Sequence, residues 1–185
     1  MMRSHIAAGL LVAIALAVSG CSGSVDFSFG GQTTAEAAVD LIEGDAMAQR
    51  LGVGTITDAV CDDPLNQDVG TVFACTSQSE GQTINFEVVL EEDDRIFAGP
   101  TNLVDPAGLS RLETVAVQEL NRQNGFQLPE DAMECGDGGA ILDADMQMTC
   151  ALTDPDTGVV FDALVTVNDT VSGDFSVVIV GEASS

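Results

Sequence analysis

Apolar positions along the chain change from helical spacing to strict alternation, and then repeat that change. Val39, Ile42 and Ala46 fall on one helical face, Thr33 and Glu36 stand at capping-box spacing before them, and Gly52 follows. That pattern predicts a helix with a defined start and stop, although Gly44 lies inside it at a cost of about 1 kcal/mol relative to alanine. Short β-rich runs come next, at Thr55 to Cys61, Thr71 to Ser77, Thr83 to Leu90 and Arg95 to Ala98. In the third run Ile84, Phe86, Val88 and Leu90 alternate as a half-buried strand requires. The second series opens with Asp105 as cap and Pro106 in the first turn, runs through Leu109, Leu112, Ala116 and Leu120, and stops at Gly125. Its strands are predicted at Ala132 to Cys135, Met146 to Thr153, Val159 to Val167 and Phe175 to Val180.

The two series align at fixed offset. Cys61 and Cys135 are 74 positions apart, Cys75 and Cys150 are 75 apart, and so are Phe86 and Phe161. Thr71, Phe73 and Cys75 share one strand face, and Met146, Met148 and Cys150 take those places in the second copy. Val159, Phe161, Ala163 and Val165 match Ile84, Phe86, Val88 and Leu90. The methionines read as inward gap fillers, with a thioether metal pair as the second reading. A helix followed by antiparallel strands makes an α+β unit with the helix covering one sheet face. The expected fold is therefore two tandem modules, 33–103 and 104–182, each a helix packed on a three- or four-stranded antiparallel sheet with one disulfide. Four cysteines allow three pairings, and the repeat selects Cys61 with Cys75 and Cys135 with Cys150. Each closes a loop of about 15 residues, for which chain entropy gives roughly 3 kcal/mol.

The chain begins with Arg3 in a short polar stretch, followed by the uncharged apolar run Ile6 to Val18. A helix of that length covers roughly 20 Å, short of the roughly 30 Å hydrocarbon layer, so residues 1–20 read as an export signal and no permanent span is expected. Val18, Ser19, Gly20 and Cys21 resemble the lipobox of bacterial lipoproteins. The resemblance implies that the Cys21 thiol takes diacylglycerol and that the chain is cut before it. Residues 21–32 are then a tether, opened by Ser22, Gly23 and Ser24. The competing reading is an ordinary secretory signal with a chance cysteine, which Val18 fits poorly because a small residue belongs at that position. Two or three acyl chains, at about 0.8 kcal/mol per buried methylene, anchor a protein stably. Export also places the remaining four cysteines where disulfides persist.

Composition narrows the chemistry. All five basic residues are arginine, lysine, tyrosine and tryptophan are absent, and His5 is the single histidine. The formal charge of the chain is −25; removal of residues 1–20 takes away Arg3 and leaves −26, which repels nucleic acid and anionic headgroups. The simplest account of the carboxylates is a solvated surface suited to solubility or salt. Beyond the signal no histidine, lysine or tyrosine is left to activate a nucleophile, so no catalytic residue and no cofactor are assigned. Paired acids would leave only a glycosidase-like hydrolase, without tyrosine or tryptophan to stack a sugar. The acidic stretches Glu91 to Asp94 and Asp154 to Gly158 lie between predicted strands and read as turns; calcium ligation is the alternative, and neither continues into an EF-hand loop, so no metal is assigned.

The lipobox, the helix, the cysteine pair with "GTVFACT" at Gly70 to Thr76 and the strand "GQTINFEVVL" at Gly81 to Leu90 resemble a domain of unknown function of actinobacterial envelope lipoproteins. In the second copy Asp145 replaces the glycine and Met148 the aromatic. The resemblance implies an exported, lipid-anchored α+β domain with a disulfide and no catalytic residue. The resulting expectation is a non-catalytic interaction module on the extracytoplasmic face of the cell membrane, held by lipid on Cys21 and binding an envelope protein or wall component. A cation-binding or structural envelope protein and a carboxylate-based hydrolase are the alternatives.

Overall fold

The computed structural model describes residues 25–26 and 32–182, apart from 94, 126, 171 and 172. The predicted signal and Cys21 lie outside the described residues. The fold is α+β, with antiparallel sheets and two disulfides. The first half holds strand β1 (Val25–Asp26), helices α1 (Thr34–Ile42) and α2 (Asp45–Leu51), and strands β2 (Thr57–Cys61), β3 (Val72–Ser79), β4 (Gln82–Leu90) and β5 (Arg95–Pro100). After β6 (Leu103–Val104) come α3 (Pro106–Asn124), β7 (Met133–Glu134), β8 (Ala140–Ile141), β9 (Gln147–Thr153), β10 (Val160–Asp169) and β11 (Asp174–Glu182). Sheet orders are β1-β5-β4-β3-β2, β11-β10-β9-β7 and the two-stranded β6-β8. No helix among the described residues is long and apolar enough to cross a membrane.

In the first half the Thr33 hydroxyl accepts from the Glu36 amide at 3.2 Å while the Glu36 carboxylate accepts from the Thr33 amide at 2.7 Å, completing the capping box. One difference from expectation concerns the helix itself. Gly44 takes an extended conformation (φ −66°, ψ 139°) and caps a second helix, so the run predicted from Thr33 to Gly52 is split into α1 and α2. Glycine is tolerated as an N-cap and penalised in a helix interior, which is why the break falls there. The break re-phases the faces: Ala37, Ala38, Leu41 and Ile42 are buried, Val39 is half-buried and Ala46 is exposed. These helices cover Phe73, Cys75, Ile84, Phe86, Val88, Leu90, Ile96 and Ala98, the inward residues of β3, β4 and β5. Val25–Asp26, assigned to the tether from sequence, pairs with β5 opposite Ile96 and Arg95 and makes this sheet five-stranded.

The second half follows the prediction more closely. Asp105 accepts from the Gly108 amide at 2.6 Å, Pro106 occupies the first turn, and Gly125 ends α3 at φ 70°. Leu109, Leu112, Ala116, Val117 and Leu120 are buried along α3. All but Leu109 belong to a second core with Cys150, Leu152, Ala163, Val165 and Val167, against which Met146 and Met148 are half-buried. The disulfides are Cys61–Cys75 and Cys135–Cys150, each within one half, as the repeat predicts.

The halves meet through an element invisible to hydrophobic periodicity. The loop between Cys135 and Cys150 reaches out of its own half, and its β8 pairs with β6, Leu103 opposite Ile141 and Val104 opposite Ala140. The Gly139 amide donates to the Gly52 carbonyl at 2.8 Å, and the Leu142 amide to the Asn102 carbonyl at 2.8 Å. The Asn102 side chain donates to the Thr83 carbonyl at 2.9 Å and accepts from the Asn85 amide at 2.8 Å, tying β6 to the start of β4. Leu103 is buried in the first core, Ile141 packs against it, and the next residue, Leu142, is buried in the second. Arg50 donates to the Ala98 carbonyl at 3.2 Å; burial pushes its guanidinium below the usual arginine value, opposed by the charge of Asp105.

A Cβ at Gly139 would sit 1.9 Å from the Leu51 carbonyl oxygen, whereas one at Gly181 would meet nothing within 4 Å. Gly139→Ala is expected to cost about 2 kcal/mol or more in urea unfolding and Gly181→Ala much less; equal effects would refute the close approach. In the first core the Ser77 hydroxyl is buried with no hydrogen-bond partner, at the place Leu152 takes in the second. Ser77→Ala is therefore expected to stabilise the fold by about 1 kcal/mol, since an orphan hydroxyl pays desolvation without return. A loss of stability would show that this hydroxyl is satisfied.

Candidate functional site

The repeat allows each sheet end to be compared with its counterpart. In the first half the inward side chains at the start of β4 are covered by Leu103 and Ile141, and Ile84 is fully buried. In the second half nothing among the described residues takes that covering place. Cys75 lies opposite Phe86 but Cys150 lies opposite Ala163, so the pairing of Phe86 with Phe161 expected from the 75-residue offset is corrected by two positions, the longer β9–β10 turn taking up the difference. Phe161, opposite Leu152 as Ile84 is opposite Ser77, is half-buried and lines a cleft of about 530 Å³ with Leu128, Leu152 and Ile179. Gly125, which ends α3 as Gly52 ends α2, has open space at its Cβ position, while a Cβ at Gly52 would meet Pro106 at 2.4 Å and the Gly139 nitrogen at 2.8 Å. The surface occupied in one half is thus open in the other.

The elements that hold the cleft are rigid. Phe161 lies opposite Leu152 in the β9–β10 ladder, and Ile179 opposite Ala163 in the β10–β11 ladder, so three adjacent strands present the floor. Leu128 is fixed by Asn121, whose side chain donates to the Leu128 carbonyl at 2.9 Å and accepts from its amide at 2.8 Å. The rim is acidic. Asp154 starts the β9–β10 turn, donating its amide to the Val159 carbonyl at 2.9 Å and accepting from the Gly158 amide at 2.8 Å. Its carboxylate accepts from the Thr157 hydroxyl at 2.8 Å and the Asp156 amide at 2.9 Å, which holds it below the usual carboxylate value, the hydroxyl bond being the larger cause. An apolar floor with few fixed polar groups is the general form of a binding site.

A second cleft, about 460 Å³, lies between the start of α1 and the β4–β5 turn, lined among others by Thr34, Gln67, Val69, Glu91 and Arg95. Its polar groups are engaged with each other: the Thr34 hydroxyl donates to Gln67 at 2.5 Å, and Arg95 pairs with Glu91 at 3.4 Å. Glu91 to Asp93 and Asp154 to Gly158 both form hairpin turns, the Glu91 amide donating to the Arg95 carbonyl at 2.9 Å. Among the described residues no three histidine, cysteine, aspartate or glutamate side chains converge as a metal ligand set.

Of the sequence-assigned residues, Cys61, Cys75, Cys135 and Cys150 are brought together as disulfides, and Cys21 falls outside the described residues. The cleft residues were not singled out as a site by sequence; Phe161 stood out only as a marker of the repeat. Compared with known proteins, no family model, no curated protein and no solved structure matches the chain. The resemblance to actinobacterial envelope lipoproteins accordingly rests on the quoted residues alone.

The Asp154 hydrogen bonds give a pH prediction. A carboxylate lowered in the folded state stabilises the fold above its unfolded value, near 3.9, and that contribution is lost as pH falls through the lower folded value. The carboxyl carbon resonance of Asp154 is expected to titrate below 3.9, with the Asp156 amide moving in parallel. A midpoint at or above the unfolded value would refute these hydrogen bonds to the Asp154 carboxylate.

Proposed function

We propose that this is a lipid-anchored cell-envelope protein that acts by binding, with the cleft of Leu128, Leu152, Phe161 and Ile179 as its contact site. The observation that carries the reading is the open cleft itself, since the equivalent face of the first half is covered by apolar side chains of the same chain. A face built to be covered in one copy and left open in the other suits an apolar group supplied from outside. Lipid on Cys21 and display on the extracytoplasmic side of the membrane complete the proposal, supported by Val18 to Cys21 and the apolar run before it. The two halves serve in it as tandem α+β modules. Binding rather than catalysis is favoured by the residue inventory beyond the signal, which lacks histidine, lysine and tyrosine and leaves carboxylates that are engaged in turns at the cleft rim.

Two experiments test the two parts. Cys21→Ser is expected to abolish detergent-phase partitioning, with the protein keeping its signal or being shed to the medium; partitioning equal to wild type would refute the anchor. For the cleft, a photo-crosslinking amino acid at Gln127, on the cleft wall, is expected to give adducts in intact cells that the same group at Gln118, exposed on α3, does not. Absence of any Gln127-specific adduct would refute the cleft as a contact site.

A further inference from the structure

The covering element of the first half is the loop between the second pair of cysteines, and the first pair encloses a counterpart loop, residues 62–71, with no role in the junction just described. This loop is exposed throughout except for the half-buried Pro64 and Thr71. Leu65 is 100% exposed, Val69 is 65% exposed, and Val60, next to Cys61, and Val72, which opens β3, are 68% and 53% exposed. Leu65 precedes Cys75 by ten residues and Ile141 precedes Cys150 by nine, so the outstanding apolar side chain stands one position from the counterpart of the one that is inserted. The loop is also preformed. Cys61–Cys75 closes its base, Asn66 accepts from the Asp68 amide at 3.1 Å and from the Thr71 hydroxyl, the Thr71 amide donates to the Asp68 carbonyl at 3.0 Å, and the Gly70 amide donates to the Leu90 carbonyl at 2.7 Å. An ordered loop loses little entropy on docking.

We infer that the occupant of the cleft is a second copy of this chain, whose loop 62–71 inserts Leu65 between Leu128, Leu152, Phe161 and Ile179. The inference rests on the cleft being a contact site. Its template is the junction inside the chain, where a disulfide-closed loop lays one aliphatic side chain against the core of the other repeat beside the αL glycine that ends a helix. The first half carries an unused insert and the second half an unused receiver, with open space at Gly125 where Gly52 is filled. The contact is heterologous, so it joins copies head to tail. Charge opposes it: Asp62, Asp63 and Asp68 of the loop approach Asp154 and Asp156 of the rim. Repulsion between exposed carboxylates is screened as the Debye length falls from about 10 Å at 0.1 M salt to about 3 Å at 1 M, so association strengthens with salt, opposite to a contact held by ion pairs.

The test is the mass of the full-length lipidated protein in detergent micelles, by sedimentation with the detergent density-matched, across protein concentration at low and high sodium chloride. The expected result is a mass that rises with concentration, more steeply at high salt, and a Leu65→Asp variant that stays at one copy with an unchanged melting temperature, because Leu65 makes no contact to lose. A single-copy mass at every salt and concentration, or Leu65→Asp associating like wild type, would overturn the inference. Photo-crosslinking at Gln127 separates the two claims. An adduct of twice the chain mass that disappears in Leu65→Asp supports both. An adduct of another mass that survives Leu65→Asp leaves the cleft as a contact site and refutes the second copy as its occupant.

Discussion

The close approach of the Gly139 backbone to the end of α2 is the constraint around which the two halves are arranged. Only residues without a Cβ let the second disulfide loop pass within hydrogen-bond distance of the Gly52 carbonyl, and a Cβ at Gly138 would also fall 2.5 Å from that oxygen. Once the backbone is placed there, β8 can pair with β6, Asn102 is held between the Thr83 and Asn85 backbones on one side and the Leu142 backbone on the other, and Leu103 closes the first core. The Asn102 side chain is 8% exposed and satisfied on both its oxygen and its nitrogen, the condition under which a buried amide specifies geometry instead of costing stability. The junction is thus polar in its backbone bonds and apolar in its insertions, and each kind of contact needs the other to be in register.

Much of this architecture is legible in the residues because strands and helices obey periods. Ile84, Phe86 and Val88 alternate and are buried, and Leu109, Leu112, Ala116 and Leu120 recur at helical spacing and are buried. The capping residues Thr33 and Asp105 act through local bonds, so they too can be read without tertiary context. What escaped is short or long-range. Strands β1, β6 and β8 have two residues each, too few to show a period, and exist because a distant partner pairs with them. The split of the first helix at Gly44 was signalled by a single residue whose effect depends on whether it lies inside a helix or caps one. The cleft was not legible at all, since nothing in the spacing of Leu128, Phe161 and Ile179 separates them from core positions; their partial exposure follows from the lack of a second covering loop, a property of the assembled pair of halves.

The two disulfides take on a second role in this setting. Cys61 lies directly opposite Cys75 in the β2–β3 ladder, so the bridge fixes the base of loop 62–71 rather than joining distant parts of the chain. Closure of a loop of this length restrains the unfolded chain by roughly 3 kcal/mol, and it also holds an otherwise irregular segment ready in the folded state. The Cys135 amide, donating to the Glu113 carboxylate at 2.7 Å, anchors the corresponding loop of the second half to α3. Both loops are presented from rigid bases, and they differ in what they meet.

In the proposed assembly, unequal use of the two halves would carry a hazard that the charge of the chain opposes. A protein with an exposed apolar insert and a complementary open receiver can add copies without limit, because a head-to-tail contact need not close. Apolar burial alone would drive such growth at about 25 cal/mol for each Å² removed from water. Thirty carboxylates against five arginines oppose it at every addition, since each new copy brings the same sign of charge to a growing body. The balance differs from that of the intrachain junction, where the two halves are held at high effective concentration by the connection from β6 into α3 and the repulsion is overcome once, on folding. In the proposed head-to-tail contact the same acidic surface would keep association weak in dilute salt and leave it available where counterions are abundant, so the insert could remain exposed without committing the protein to irreversible assembly.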